Sequence, residues 1–278
     1  MNDKVVFWYG CNVLRHGDII HSALDVLRAA GIDPTPVGGP AYCCGSPKDA
    51  NLRAAEGMAV RTVEKFNAMR QEQLVTWCPS CHRHMGSFMT QYQEANFSTA
   101  HITQILHARR GQLAERMTRR VERRVVLHRH FGFHEVDVNP LVHDLLSLVP
   151  GIEVVPTAQA SPGHMCSALA PVAEAMKDNT RRVCEAAREA QAQDVVTIFH
   201  SCQRMLCGLE ATEPFRVVNY ITVLAQALGY EYVDEFKQWK NADSTEAVEA
   251  LVGAERVERI GRSRFDQVLP DILRKPVR

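Results

Sequence analysis

The sequence predicts an α/β protein made of two repeated lobes, each built on a parallel sheet, followed by a helical tail. Three observations lead there. Short apolar runs alternate with segments whose apolar residues recur at helical spacing, the pattern of βαβ units. The second half repeats the first: Val5-Val6-Phe7 returns as Val125-Val126-Leu127, Leu74-Val75-Thr76 aligns with Val195-Val196-Thr197, and Cys44 falls on Cys166. Finally, 278 residues with 46% hydrophobic and 23% charged content suit a folded chain of two ordinary domains.

The elements follow in order. Lys4–Gly10 reads as a strand. Asp18–Ala30 reads as a helix from Ile19, Ile20, Ala23, Leu24 and Leu27, with Asp18 as N-cap and Gly31 as the stop. An extended piece spans Pro34–Gly38, and a turn-rich loop runs from Gly39 to Pro47. A helix is expected over Ala50–Glu72, a strand over Leu74–Trp77, and helices over Cys81–Asn96 and Ile102–Arg119. A repeat holding nearly one offset across separated segments marks an internal duplication. The expected organisation is therefore two duplicated Rossmann-like lobes, 1–120 and 121–232, with a polar helical tail over 233–278.

Lys+Arg and Asp+Glu balance at 32 each, which argues against a nucleic-acid binder. No apolar run is long enough to span a membrane, and the chain enters its first strand without a signal-peptide pattern. A cytoplasmic location is expected. In such a reducing compartment nine cysteines are not structural disulfides but metal or redox chemistry.

Five cysteines form one pattern: Cys11, the adjacent Cys43-Cys44-Gly45, and Cys78-Pro79-Ser80-Cys81. Each lies where a strand ends. In an open α/β sheet the carboxyl ends of neighbouring strands converge on one crevice, so three distant loops deliver five thiols there. Cys81 at a helix start favours a thiolate. Gly45 permits a sharp turn, and Pro47 and Pro79 stiffen the loops. Soft thiolates select iron–sulfur clusters, zinc or copper(I). A thioredoxin-like pair at Cys78/Cys81, a four-ligand zinc site and unconnected buried thiols are the competing readings.

This spacing resembles the cysteine-rich CCG domain of heterodisulfide reductase and of its relatives in sulfur-oxidation complexes, over about residues 4–230. The resemblance implies one noncubane 4Fe–4S cluster held by Cys11, Cys43, Cys44, Cys78 and Cys81, one thiolate bridging two irons. It implies an oxidoreductase subunit acting on a thiol, disulfide or protein-bound sulfur substrate. Implied partners are a ferredoxin-type iron–sulfur subunit, a flavoprotein subunit, and a lipoate-binding or sulfur-carrier protein. Two further readings stand beside it: an electron relay for a quinone-linked glycolate, lactate or succinate dehydrogenase, and a zinc-stabilised scaffold.

The second lobe breaks the pattern. Phe131, Met165 and Phe199 stand where Cys11, Cys43 and Cys78 would repeat, leaving only Cys166 and Cys202. A second cluster is not expected. His128, His130, His164 and His200 surround the lost positions, and with Cys166 and Cys202 they can line a substrate pocket or hold a second metal such as zinc. Alternatively, the lobe is vestigial, with Phe131, Met165 and Phe199 filling the vacated volume. Cys184 and Cys207 read as core. His82 and His84 can hydrogen-bond a cluster sulfur. The arginines from Arg109 to Arg124 read as solvated surface or as a docking patch for an acidic partner.

Overall fold

The computed structural model describes residues 3–46, 51–132, 134–157 and 160–274. Pro47, assigned a stiffening role above, lies outside them. The first lobe contains β1 (Asp3–Gly10), α1 (Gly17–Ala29), β2 (Ile32–Gly38), α2 (Leu52–Ala68), β3 (Gln73–Thr76), α3 (Pro79–His84), α4 (Thr90–Tyr92), β4 (Ser98–His101), α5 (Ile102–Ala108) and α6 (Arg110–Arg116). The second contains β5 (Arg123–His128), α7 (Val138–Ser147), β6 (Ile152–Val155), α8 (Ala173–Glu189), β7 (Asp194–Thr197), α9 (His200–Leu206), β8 (Arg216–Asn219) and α10 (Tyr220–Ala227). The tail then forms α11 (Glu235–Asn241), α12 (Thr245–Val252), α13 (Ala254–Ile260) and α14 (Arg262–Leu273).

The sheets run β2-β1-β3-β4 and β6-β5-β7-β8, and every pairing is parallel. The two orders are the same topology written twice, so the duplicated Rossmann-like fold holds. The middles of β1 and β7 are apolar because helices cover both sheet faces: Val5 to Trp8 and Val195 to Val196 are buried. The lobes pack through α1 on α10 and α5 on α7. One apolar core runs from Val5 to Phe236 through both lobes. A second, smaller core of Val248, Val252, Val257, Phe265 and Leu269 lies within α12–α14, with Trp239 packed against both.

Several boundaries differ from expectation, each for a local reason. His16, not Asp18, occupies the N-cap of α1, which places Asp18 buried in the first turn. α2 stops at Ala68, and Arg70 turns through φ +54°. The helix expected from Cys81 begins at Pro79, whose fixed φ suits a first turn, and gives way to a π-helical turn at Met85–Met89. The helix expected over Ile102–Arg119 breaks at Arg109. β4, Ser-Thr-Ala-His, is too polar to register as an apolar run.

Most of the boundary arginines are paired within the chain: Arg109 with Asp3, Arg119 with Glu231, Arg123 with Asp194 and Arg124 with Glu153. Among the described residues no helix is long and apolar enough to cross a membrane.

Candidate metal centre

Parallel pairing puts the carboxyl ends of all strands in a lobe on one edge, and side chains from the two edges meet. The Trp77 indole N–H donates to His200 Nδ1 at 3.2 Å, and the Trp77 ring stacks on Tyr220 with centroids 5.9 Å apart. Ser80 Oγ meets His164 Nε2 at 3.3 Å, and Arg204 donates to Asn12 at 2.7 Å.

On the second edge, His128 ends β5, His130 follows it, Cys166 lies in the loop after β6, and Cys202 sits in the first turn of α9. Their four ligand atoms all lie within 4.8 Å of one another. His128 Nε2 is 3.2 Å and His130 Nε2 3.4 Å from Cys166 Sγ. The edge of a tetrahedron with metal–sulfur and metal–nitrogen bonds of about 2.3 and 2.0 Å is roughly 3.5 Å, so the spacing fits one ion. All four residues are buried, Cys166 and Cys202 completely.

The surroundings orient the donors. His130 Nδ1 lies 3.0 Å from the Pro162 carbonyl, which only accepts, so that nitrogen carries hydrogen and Nε2 is turned to the thiols. Cys202 Sγ receives the Cys166 backbone N–H at 3.4 Å, and Asn179 Nδ2 donates to Cys166 Sγ at 3.7 Å. Burial pushes the Cys202 thiol up, but hydrogen bonding from Cys166 and the two imidazoles outweighs it and holds Cys202 well below the usual thiol range. Burial raises Cys166, and the charge on Cys202 adds to the rise. Burial lowers His128; for His130 the adjoining Cys202 thiolate overcomes burial and the shift is upward. A cavity of about 570 Å³ borders His128, Arg129, Ser161 and Arg182 beside this set.

Two of the six second-lobe candidates stay outside it. His200 is spent on the Trp77 hydrogen bond, and burial lowers it to about 3. His164, half-buried, turns to Ser80. The vestigial-filling reading is also corrected: Phe199 is buried, but Phe131 is 73% exposed and fills nothing.

The first-lobe cysteines come together differently. Cys11 S–H donates to Cys43 Sγ at 3.8 Å, Cys44 also bonds Cys43, Cys81 bonds Cys44, and Cys81 donates to Cys78. Cys43 and Cys78 are the thiolates of this row, and its bonds to Cys44 and Cys78, together with burial, keep Cys81 a thiol. Hydrogen bonds from Cys11 and Cys44 lower Cys43 to about 2, the bond to Cys43 raises Cys44 to about 11, and Cys78 is lowered by its bond from Cys81. Gly10 lets the row approach the sheet: at φ +84°, an added Cβ would stand 3.3 Å from Cys81 Sγ. His82 bonds Thr76 and His84 stacks on Phe88.

The expectation of a noncubane 4Fe–4S cluster is therefore corrected. Among the described residues, the gathered donor sets are mixed groups sized for a single ion, and no three of the five thiols bring their sulfurs within 4.8 Å of one another. The thiols satisfy one another through successive hydrogen bonds, from Cys11 to Cys43, Cys44, Cys81 and Cys78.

One gathered set has no counterpart among the sequence candidates: His16, Asp18 and Asp234, whose ligand atoms also lie within 4.8 Å of one another. Asp234 belongs to the polar tail, and no motif links it to α1.

The family model for the cysteine-rich (CCG) domain matches residues 5–86, the first lobe alone. No curated protein matches the chain. Solved structures of similar outline include an aspartate racemase homologue from Pyrococcus horikoshii OT3 (10% identity, TM-score 0.35, covering 81% of this chain and 97% of that one). Glutamate racemase from Aquifex pyrophilus (14%, 0.29, 83% and 84%) and arylmalonate decarboxylase (13%, 0.24, 83% and 94%) are others. The resemblance to heterodisulfide reductase expected over residues 4–230 is corrected accordingly: the family match ends at residue 86. The reading as an iron–sulfur oxidoreductase subunit, its electron-relay variant included, goes with it, since the donor sets present are single-ion sets.

Proposed function

We propose that this chain is a metalloprotein whose second lobe holds one zinc-class ion on His128, His130, Cys166 and Cys202. The observation that carries the reading is the convergence of four buried donor atoms, two sulfur and two nitrogen, within 4.8 Å. Such a set suits zinc, and four protein ligands leave no open position, the form of a structural centre. Bound there, the ion supplies cross-linking of three loops at the edge of the second sheet. His130 and Asn179 contacts pre-orient the ligands; burial excludes water from the sulfurs. All nine cysteines are unpaired, which supports a cytoplasmic location.

The test is metal content of chain purified under reducing conditions, by mass spectrometry. One zinc per chain is expected in the wild type and less than a tenth of that in a Cys166→Ser/Cys202→Ser double variant. A wild type without bound metal, or a double variant that retains the ion, overturns the proposal.

A further inference from the structure

We propose that His16, Asp18 and Asp234 form a second metal site, for a divalent ion of the manganese type, and that this ion fastens the C-terminal tail to both lobes. The site differs from the thiolate centre in place and in chemistry. His16 stands at the N-cap of α1 in the first lobe, Asp18 in its first turn, and Asp234 at the N-cap of α11 in the tail. Gln203, from α9 of the second lobe, reaches the same point and donates Nε2 to Asp234 Oδ2 at 2.6 Å.

Two observations separate this set from an ordinary buried ion pair. The first is that its three ligand atoms lie within 4.8 Å of one another, with His16 wholly buried, Asp18 4% exposed and the Asp234 side chain 8% exposed. The second is that polar atoms around Asp234 are unspent. His16 Nε2, Asp18 Oδ1 and Gln203 Oε1 are all buried without a hydrogen-bond partner, and His16 Nδ1 comes no nearer than 3.7 Å to Asp234 Oδ1. Leaving one buried acceptor unsatisfied costs about 1–3 kcal/mol, and native structures hold few such groups. Three in one place, on residues that meet from three parts of the chain, point to one shared ligand.

The chemistry of the donors selects that ligand. Each unspent atom on Asp18 and Gln203 is an oxygen acceptor, and a neutral imidazole offers a nitrogen lone pair. A neutral donor such as water can hydrogen-bond to them but leaves the carboxylate charge uncompensated; a cation meets the lone pairs and the charge together. Two carboxylates offset a divalent charge, which removes the repulsion between two buried anions. Oxygen donors with one imidazole favour manganese over the soft ions that the thiolate set takes. The positions of the other Asp234 contacts fit this role. Its Oδ1 caps α11 by accepting the Lys237 N–H at 2.9 Å, so the carboxylate is already oriented by its own helix.

The experiment uses the full chain, stripped with a chelator and titrated with Mn²⁺ alone, following loss of the free-ion resonance by electron paramagnetic resonance. One Mn²⁺ per chain is expected in the wild type and equally in Cys202→Ser, which lacks a ligand of the thiolate centre. Asp18→Asn and His16→Gln, shown folded by circular dichroism, are expected to bind at least tenfold more weakly. Failure of the wild type to bind Mn²⁺ overturns the proposal, as does unchanged affinity in both folded variants. Because the zinc measurement reads different ligands, either proposal can fail while the other stands.

Discussion

If the thiolate–imidazole centre binds zinc in the native chain and not in the unfolded one, the melting temperature must rise with free zinc. Above the dissociation constant, each tenfold increase stabilises the native state by about 1.4 kcal/mol. The size of the temperature shift depends on how much of the chain melts together. One core links Val5 to Phe236 through both lobes, so the lobes unfold as a unit. An unfolding entropy of about 2.1 cal/mol/K per residue, over 278 residues, is roughly 0.6 kcal/mol/K. The midpoint should then climb about 2–3 °C per decade of free zinc, or about 10 °C over four decades. The assay is thermal unfolding by circular dichroism in zinc buffers of graded free concentration. A slope of about 6 °C would mean that the second lobe melts alone, against the shared core. A midpoint indifferent to zinc, or a Cys166→Ser/Cys202→Ser chain with the wild-type slope, would refute the reasoning.

Four further outcomes follow from the geometry. Trp77→Phe keeps the ring against Tyr220 but leaves His200 Nδ1 buried without its donor, a loss of about 2 kcal/mol measurable by urea unfolding. Arg216 holds the buried Asp194 carboxylate through two bonds of 2.7 Å, so Arg216→Met should cost about 1–3 kcal/mol in the same assay, moderated by the exposure of the arginine and by Arg123 nearby. His101 is lowered to about 3 by burial. The unfolded chain takes up its proton below about 6.5 while the folded one refuses it, so the stability is complete above that pH and drains as pH falls toward 3. Between pH 7 and 5 that loss is about 2 kcal/mol, and a His101→Asn chain should show a correspondingly shallower dependence. Gly10→Ala places a methyl against Cys81 at a φ of +84°, and a drop of about 1–2 kcal/mol in urea unfolding is expected.

How far the sequence reveals the molecule varies by element. The strands that carry the lobes are legible because burial on both faces makes them unbroken apolar runs, Val5 to Trp8 above all. β4 is not, because Ser98 to His101 owe their pairing to β3 and not to their own composition. The thiolate set is legible as six candidates, and its reduction to four needs geometry. His200 and Cys202 are two residues apart on α9, which places them on opposite sides of the helix; one meets Trp77, the other Cys166. The first-lobe cysteines do converge as the sheet topology requires. Convergence of loops does not determine how closely the side chains gather, and here no three sulfurs lie within 4.8 Å of one another. His16 and Asp234 share no signal in the sequence, since their meeting depends on where the tail folds back.

The separate small core of α12–α14 has a consequence for how the chain is made. Val248, Val252, Val257, Phe265 and Leu269 bury one another, so this segment gains little from the lobes beyond the contact through Trp239. It also follows both sheets in chain order, so they can already be complete when it emerges from the ribosome. Docking of the tail then follows folding of the sheets, and Asp234 cannot reach His16 until α11 has docked. Backbone amides of Thr245–Leu273 should exchange with solvent as one group, sooner than those of β1 or β7, and a nascent chain halted before Phe236 should expose the surface around His16.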